Sequence, residues 1–599
     1  MLPLLLALPL ALVPAPRFTP QDALRAEWRR RPPALSAAER AALPEADRAR
    51  LDLALARIGA PGAPALLPPE LETPTVAAWE AKAAAARAPE ERFAALFMLN
   101  RLKSPRALDA LRGLNERDAA AWPRHLHLEA AIAAARLNGA VVDRGLRPFL
   151  DALARTGKVD PTRAQAARLR LVLAGVEREL PPPLEATPAN ALALLDAWNR
   201  GPWEKRAALH RDLLDRVSRW FAGDPAAAAA PLPLGALGMK DAPLGDAVFA
   251  QNLLARLFDG LPPDGAEARD FRLDGWPRWS APLRLAALGA AAKLRADEPP
   301  AARAALAAEL AARATAPIER AALLPGLRRL DPRAADALRE RLLAGDDPAA
   351  RAAAIDDLAA APADLEPLIK KLWRVEEYDG VQVLLPALEK WGVPAKRRKE
   401  LLRRFYDHPC WTARLDARRE LLKLDAAAPW PAAPAPTAED EALLAAAERL
   451  VARGAPVRLR ITFSGGRRAT LRLDPTNAPL NVANLARLAR RGFFDGRLAP
   501  RVVPDFVVQM GSPYDTMDGG PGYTVRCEDS LAFYGPGSVG MALSGKDTGG
   551  SQFFVTTNAT PHLTGRYTRV GELEDPDRAL PLFDALELGA RIESVAVVP

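Results

Sequence analysis

Residues 541–557 read MALSGKDTGGSQFFVTT, and residues 500–509 read PRVVPDFVVQ. In SQFFVT the side chains alternate, so Gln552 and Phe554 share one face of a strand while Phe553 and Val555 share the other. One face is apolar and the other joins an amide to an aromatic ring. A strand buried on both sides would not carry Gln552 there, because a buried amide without a partner is costly. Arg501 poses the same question, standing directly before Val502, Val503 and Pro504 in a run otherwise fit for a core. Taken singly, each polar residue is also what the surface of a half-exposed strand would carry. Taken together they predict a polar and aromatic site built on a sheet.

The flanking sequence extends the sheet. VRLRITF and ATLRL alternate with period two on either side of Gly465 and Gly466, which predicts a β-hairpin. NVANLARLARRG then reads as an amphipathic helix, followed by PRVVPDFVVQ, the glycine-rich GGPGY and MALSGKDTGGSQFFVTT. In this content and order, the chain from Val457 to Pro599 resembles the cyclophilins, a family of peptidyl-prolyl cis-trans isomerases. The resemblance implies a closed eight-stranded antiparallel β-barrel with two capping helices. NVANLARLARRG would be the first cap and the stretch around Leu580 to Leu588 the second, before a closing strand RIESVAVV.

The resemblance also implies roles. Arg501, Gln509 and Phe554 would carry catalysis, and Phe506, Val507, Phe554 and Leu563 would hold the proline ring. Gln509 and Gln552 would orient the substrate backbone and Arg501, while Ala542 and the backbone of Leu543 would grip the residue before proline. His562 and Tyr567 would complete the substrate-binding set. No cofactor or metal is implied, and the partners would be proline-containing polypeptides. This chain departs from the family at several positions. Ala499 and Pro500 stand where Phe-His often precedes the arginine, and Val507 replaces a usual Met. Leu543 replaces a usual Asn, His562 stands where many members have Trp, and Tyr567 where many have His. These changes leave open a second reading, a catalytically weak proline-peptide binding module in an adaptor protein.

The preceding sequence has a different texture. From residue 19 to 424 it reads as short helices punctuated by Pro, Gly and Asp. In QNLLARLFDGL, Leu253 with Leu257 and Leu254 with Phe258 stack at i, i+4, and Gly260 suits a C-terminal cap. Asp347-Pro348 with Arg351, and Asp407 or His408 before Pro409 with Arg414, form a recurring phrase that resembles HEAT-type helical repeats, although the spacing drifts. The expected architecture is a stacked helical solenoid acting as a scaffold, with room for a protein partner. An irregular helical domain and tetratricopeptide-like pairs are the alternatives. A Pro- and Ala-rich linker at 425–440 and a connecting helix at 441–454, with Thr437 and Asp440 marking its start, would lead into the cyclophilin-like domain at 455–599.

Composition limits the function classes. At 599 residues the chain exceeds one hydrophobic core, and the excess of 82 Lys+Arg over 74 Asp+Glu is too slight and too interleaved to predict nucleic-acid binding. Two cysteines, Cys410 and Cys527, lie in separate regions and exclude a disulfide framework. The apolar run Leu2–Val13 resembles a signal peptide over residues 1–18 that lacks a basic start, which predicts a periplasmic or secreted protein, with a cytoplasmic one as the alternative. No other run approaches the roughly 20 apolar residues of a membrane span. GMALSGKD, residues 540–547, nearly spells a phosphate loop but ends in Asp where a Ser or Thr must hold magnesium. His125, His127 and Glu129 sit at helical spacing that does not bring them to one face, and His210 and His408 are isolated.

Overall fold

The computed structural model describes most of residues 161–599, with short breaks of which the longest is 263–272; before that it describes a helix at Val76–Ala85 and scattered positions around 38–48 and 95–99. The run Leu2–Val13 and the motif at His125, His127 and Glu129 lie outside the described residues. The helices of six residues or more described in the first unit are α1 (Val76–Ala85), α2 (Pro161–Leu173), α3 (Pro188–Asn199), α4 (Trp203–Ala222), α5 (Ala247–Asp259), α6 (Ala281–Ala290), α7 (Pro300–Arg313) and α8 (Pro317–Leu330). They continue as α9 (Pro332–Ala344), α10 (Pro348–Asp356), α11 (Glu366–Lys371), α12 (Tyr378–Lys390), α13 (Ala395–Arg404) and α14 (Trp411–Leu422).

Local chemistry starts these helices. Asp331 and Asp347 each precede a proline in the first turn; Asp331 accepts from the Ala334 amide at 3.1 Å and Asp347 from the Ala350 amide at 2.8 Å. Leu253, Leu254, Leu257 and Phe258 of α5 are all fully buried in one long core. From α6 on, alternate helices pack, α6 on α8, α8 on α10, α10 on α12 and α12 on α14, so helices stack in sequence order. Among the described residues helix length runs from 5 residues at Pro225–Ala229 to 20 in α4, so helix length follows no constant repeat.

The arginines of the recurring phrase have a common task. The guanidinium of Arg351 reaches back to the Leu343 and Gly345 carbonyls. Arg414 does likewise, donating to the His408 carbonyl at 2.5 Å. Each satisfies carbonyls left at a helix junction. Arg351 also pairs with Glu377, and both are buried.

His210 of α4 is fully buried, edge-on to Trp203 at 5.1 Å, and burial with the nearby Arg206 charge pushes its pKa down to about 3. The folded ring stays neutral where the unfolded ring takes up a proton near pH 6.5. Its stabilising contribution is therefore complete above about pH 6.5 and is lost toward pH 3, at about 1.4 kcal/mol per pH unit. Urea unfolding followed by tryptophan fluorescence should show a pH 5 to 7 slope that His210→Leu flattens; equal slopes in both proteins would refute the assignment.

The second unit begins with α15 (Ala438–Arg453), whose first turn is closed by Thr437 accepting from the Asp440 amide at 3.2 Å and donating to its carboxylate at 2.8 Å. There follow β1 (Val457–Phe463), β2 (Arg467–Leu473), α16 (Pro479–Arg490), β3 (Arg501–Val503), β4 (Val507–Met510), β5 (Ser538–Met541), β6 (Phe553–Thr556), β7 (Arg569–Leu573), α17 (Pro576–Asp584) and β8 (Ile592–Val598). The eight strands form one antiparallel sheet in the order β3-β4-β6-β5-β7-β2-β1-β8, curled around a core from Leu459 and Ile461 through Phe553 to Val595.

The expected closed barrel needs correction. The edge strands β3 and β8 do not pair as strands; their approach segments meet at the isolated bridge Leu498↔Arg591, with Ala499 donating to the Ala590 carbonyl at 2.9 Å. The sheet is a curled half-barrel with a short seam, because β3 has only three residues and ends before it can run along β8. The second cap also begins earlier than Leu580, at Pro576, since Asp575 accepts from the Arg578 amide and fixes the first turn there. The buried carboxylate of Glu528 caps α16, accepting from the Leu480 and Asn481 amides at 3.0 and 2.9 Å.

Candidate functional site

Strand pairing places Arg501 opposite Gln509, Gln509 opposite Phe554, and Phe554 opposite Gly540. Residues directly opposite one another share a sheet face, so these four form one row across β3, β4, β6 and β5. Gln552 stands two residues before Phe554 on the same face. The amide and the guanidinium that looked misplaced in apolar strands thus meet.

They are joined by a directed relay. Arg501 Nη1 donates to Gln509 Oε1 at 3.3 Å, Gln509 Nε2 donates to Gln552 Oε1 at 3.0 Å, and Gln552 Nε2 donates to the Met517 and Gly519 carbonyls at 3.0 and 2.8 Å. Only one amide orientation satisfies every link, because an arginine can donate but not accept. The other side of the guanidinium lies 5.5 Å from the centre of the Phe506 ring. Burial pulls the Arg501 pKa below its ordinary value, with Tyr567 opposing, yet a guanidinium stays cationic at any working pH. The result is a fixed cation with donor capacity to spare.

Beside it is an apolar pocket of Val507, Tyr534, Phe554 and Leu563, with Phe506, Ala542 and Tyr567 at its margin. Phe554 stacks on Tyr534 at 5.9 Å and meets Tyr567 edge-on at 6.0 Å. Of the residues named from sequence, all but His562 line one cavity of about 840 Å³. His562 lies behind, its ring between Phe506 at 5.5 Å and Phe97 at 5.3 Å. Leu543 lines the cavity and also leans on the sheet core.

Sequence reasoning missed Tyr534 and Gly540. Tyr534 sits in the aperiodic stretch AFYGPG, and its hydroxyl reaches the Tyr567 carbonyl at 3.4 Å, a tertiary bond with no local signal. Gly540 carries a readable one, a glycine inside a strand. A Cβ there would meet the Tyr534 hydroxyl at 2.4 Å and the Phe554 ring at 2.5 Å. Gly540→Ala should therefore displace Phe554 and lower turnover of any substrate seated on it by about 5- to 10-fold. Unchanged turnover with an unmoved Phe554 would count against the pocket assignment. Gly540 and Met541 belong to β5, and among the described residues between them and β6 there is no helix of the kind that closes a phosphate loop.

The cavity has a second wall, from the helical unit. Ala349, Ala352 and Ala353 of α10 and Tyr378, Asp379 and Gln382 of α12 line it opposite the strands. Burial and the Asp518 carboxylate push the Asp379 pKa up. Among the described residues no group of His, Cys, Asp and Glu is arranged to hold a metal, and no helix is long and apolar enough to cross a membrane.

Known proteins share this unit. Residues 458–590 match the family model described as "Cyclophilin type peptidyl-prolyl cis-trans isomerase/CLD". A peptidyl-prolyl cis-trans isomerase of Synechococcus elongatus is 42% identical over 133 residues, which are 22% of this chain and 91% of that protein. Peptidyl-prolyl cis-trans isomerase B of Bacillus subtilis is 46% identical over 110 residues, 18% of this chain and 77% of the relative. A peptidyl-prolyl cis-trans isomerase of Helicobacter pylori is 40% identical over 132 residues, 22% of this chain and 81% of the relative.

Proposed function

The chain belongs to the cyclophilin-type peptidyl-prolyl cis-trans isomerases, and on that footing we propose that its second unit speeds rotation about X-Pro bonds in client polypeptides by stabilising the twisted amide with Arg501. Rotation must break amide resonance, against a barrier of roughly 18–20 kcal/mol. As the bond twists, the prolyl nitrogen becomes pyramidal and regains a lone pair. A guanidinium N–H can bond that nitrogen in the transition state and not in the planar ground state, so its contribution lowers the barrier itself. Val507, Phe554 and Leu563 hold the pyrrolidine ring, Gln509 and Gln552 hold Arg501 and the substrate backbone, and Ala542 with Leu543 grips the preceding residue. No covalent step is required.

The observation that carries this reading is the row Arg501, Gln509, Phe554, in which a fixed cation adjoins an apolar pocket. Protease-coupled turnover of an Xaa-Pro tetrapeptide by the full chain tests it. Acceleration is expected; peptide binding without acceleration would instead favour the binding-module reading.

The stacked helices serve in this proposal as a scaffold that brings clients or a partner protein to the isomerase, with the division between the two units at 425–440. Export is proposed on the strength of the apolar run Leu2–Val13. Amino-terminal sequencing of the mature protein tests it, and an intact Met1 would sink it.

A further inference from the structure

The residues that follow Ala542 and Leu543, which the reading above assigns to gripping the residue before proline, are held by the helical unit at Ser544 and at Asp547. At the first, Gln382 of α12 uses both ends of its amide: Nε2 donates to the Ser544 carbonyl at 2.9 Å and Oε1 accepts from the Ser544 hydroxyl at 3.3 Å. At the second, Thr412 of α14 donates to the Asp547 carbonyl at 2.8 Å and bonds the Thr524 hydroxyl at 2.9 Å. Asp547 has a φ of 63°, a left-handed backbone that a non-glycine residue keeps only when its surroundings fix it. Its carboxylate accepts from the Cys527 amide at 2.8 Å, so the turn is fixed from its own unit as well.

The same helices bound the space next to this segment. Ala349, Ala352 and Ala353 on α10 face the strands across the cavity of about 840 Å³ that contains Arg501 and Phe554. Their small side chains leave the gap open. Its size lies in the upper part of the range of about 300–1,000 Å³ that buries a drug-sized ligand, more than a proline ring alone requires. A barrel standing alone presents its cleft to solvent on one side, where a loop protruding from a folded protein could enter. Here that side is faced by α10 and α12.

We propose that the helical unit completes the isomerase site as a channel: Gln382 and Thr412 are positioning residues for the segment 542–548, and α10 forms the wall along which an extended client chain lies on the amino side of its X-Pro bond. The clients are accordingly unfolded or drawn-out polypeptide segments. This proposal rests on the assignment of the residue before proline to Ala542 and Leu543.

The test uses the full chain with two ligands, an Xaa-Pro tetrapeptide and a ten-residue peptide extended on the amino side of the same core. KM and kcat come from protease-coupled turnover, and Kd from fluorescence anisotropy. Gln382→Ala should raise KM and Kd about 5-fold with a smaller change in kcat, since it loosens the grip and leaves Arg501 in place. Ala352→Trp, which fills the channel, should weaken the ten-residue peptide at least 5-fold more than the tetrapeptide. Ala353→Trp, at a partly exposed position on the same wall, repeats the measurement should Ala352→Trp unfold. Wild-type-like constants for these variants, or for the tryptophan variants a loss equal for the two peptides, overturn the proposal. Failure of the isomerase reading is distinct: the wild type would bind both peptides and accelerate neither, and the Kd series would still decide the channel.

Discussion

Arg501→Ala will lower kcat/KM for an Xaa-Pro peptide by roughly 10- to 100-fold while peptide affinity stays within a few-fold. The size follows from the kind of bond lost: a charge-assisted hydrogen bond contributes about 1.5–3 kcal/mol, one to two decades of rate. The split between turnover and affinity follows from when the bond exists, since the prolyl nitrogen has no lone pair to offer until the amide twists. Arg501→Lys is a sharper probe. It keeps the charge but cannot keep both the 3.3 Å bond to Gln509 and the approach to the substrate nitrogen, so it should recover little. Equal turnover for Arg501→Ala and wild type would remove Arg501 from the mechanism even if the isomerase activity were real. The acceleration that survives Arg501→Ala measures what the pocket around Phe554 supplies alone.

Arg351→Met will destabilise the helical unit by about 3 kcal/mol. Arg351 and Glu377 are fully buried partners, so removing the cation strands a carboxylate in the core. Arg374 softens the loss, because it also bonds Glu377, at 2.8 Å, from a more exposed position. The Gly345 carbonyl loses its guanidinium donor as well, while that of Leu343 keeps the Lys371 ammonium at 3.1 Å. Adding Glu377→Leu should recover more than half of the loss by removing the orphaned charge. Tryptophan fluorescence reads this unit selectively, because all 12 tryptophans lie at or before Trp430. If the double variant is no more stable than Arg351→Met, the pair is not what carries the energy.

How far the chain could be read from its sequence depended on whether the signal was local. Gln552 and Phe554 were legible because strand alternation puts a polar residue visibly out of place, and Arg501 because it interrupts a run of valines. The row that joins them was not legible, since it depends on register between strands separated by many residues. The helix starts at Asp347 and Thr437 were plain, because a cap and its helix are neighbours in sequence. The seam of the sheet was not, because the closeness of β3 and β8 is fixed by curvature and by the three-residue length of β3. Gln382 and Thr412 had no signal at all. A glutamine on a helix looks solvated until another unit arrives to meet it. The same holds for the α10 alanines, which read as ordinary helix formers and face the cavity only because α10 packs where it does.

Asn252 of α5 is fully buried, and what covers it comes from the far end of the chain: its Oδ1 accepts from the Leu588 amide at 2.7 Å, 336 residues later in sequence. A ribosome makes the seat long before its occupant, since synthesis proceeds at only about 5–20 residues per second. Through that interval, tens of seconds by the same figure, the helical unit carries an open notch without the Leu588 amide that fills it. Residues 587–588 reach it only after the strands that precede them have emerged, so a product cut short before Glu587 would leave the notch bare. Docking of Leu588 therefore reports that the chain has been made at least as far as the second unit's last cap, through a single seated residue.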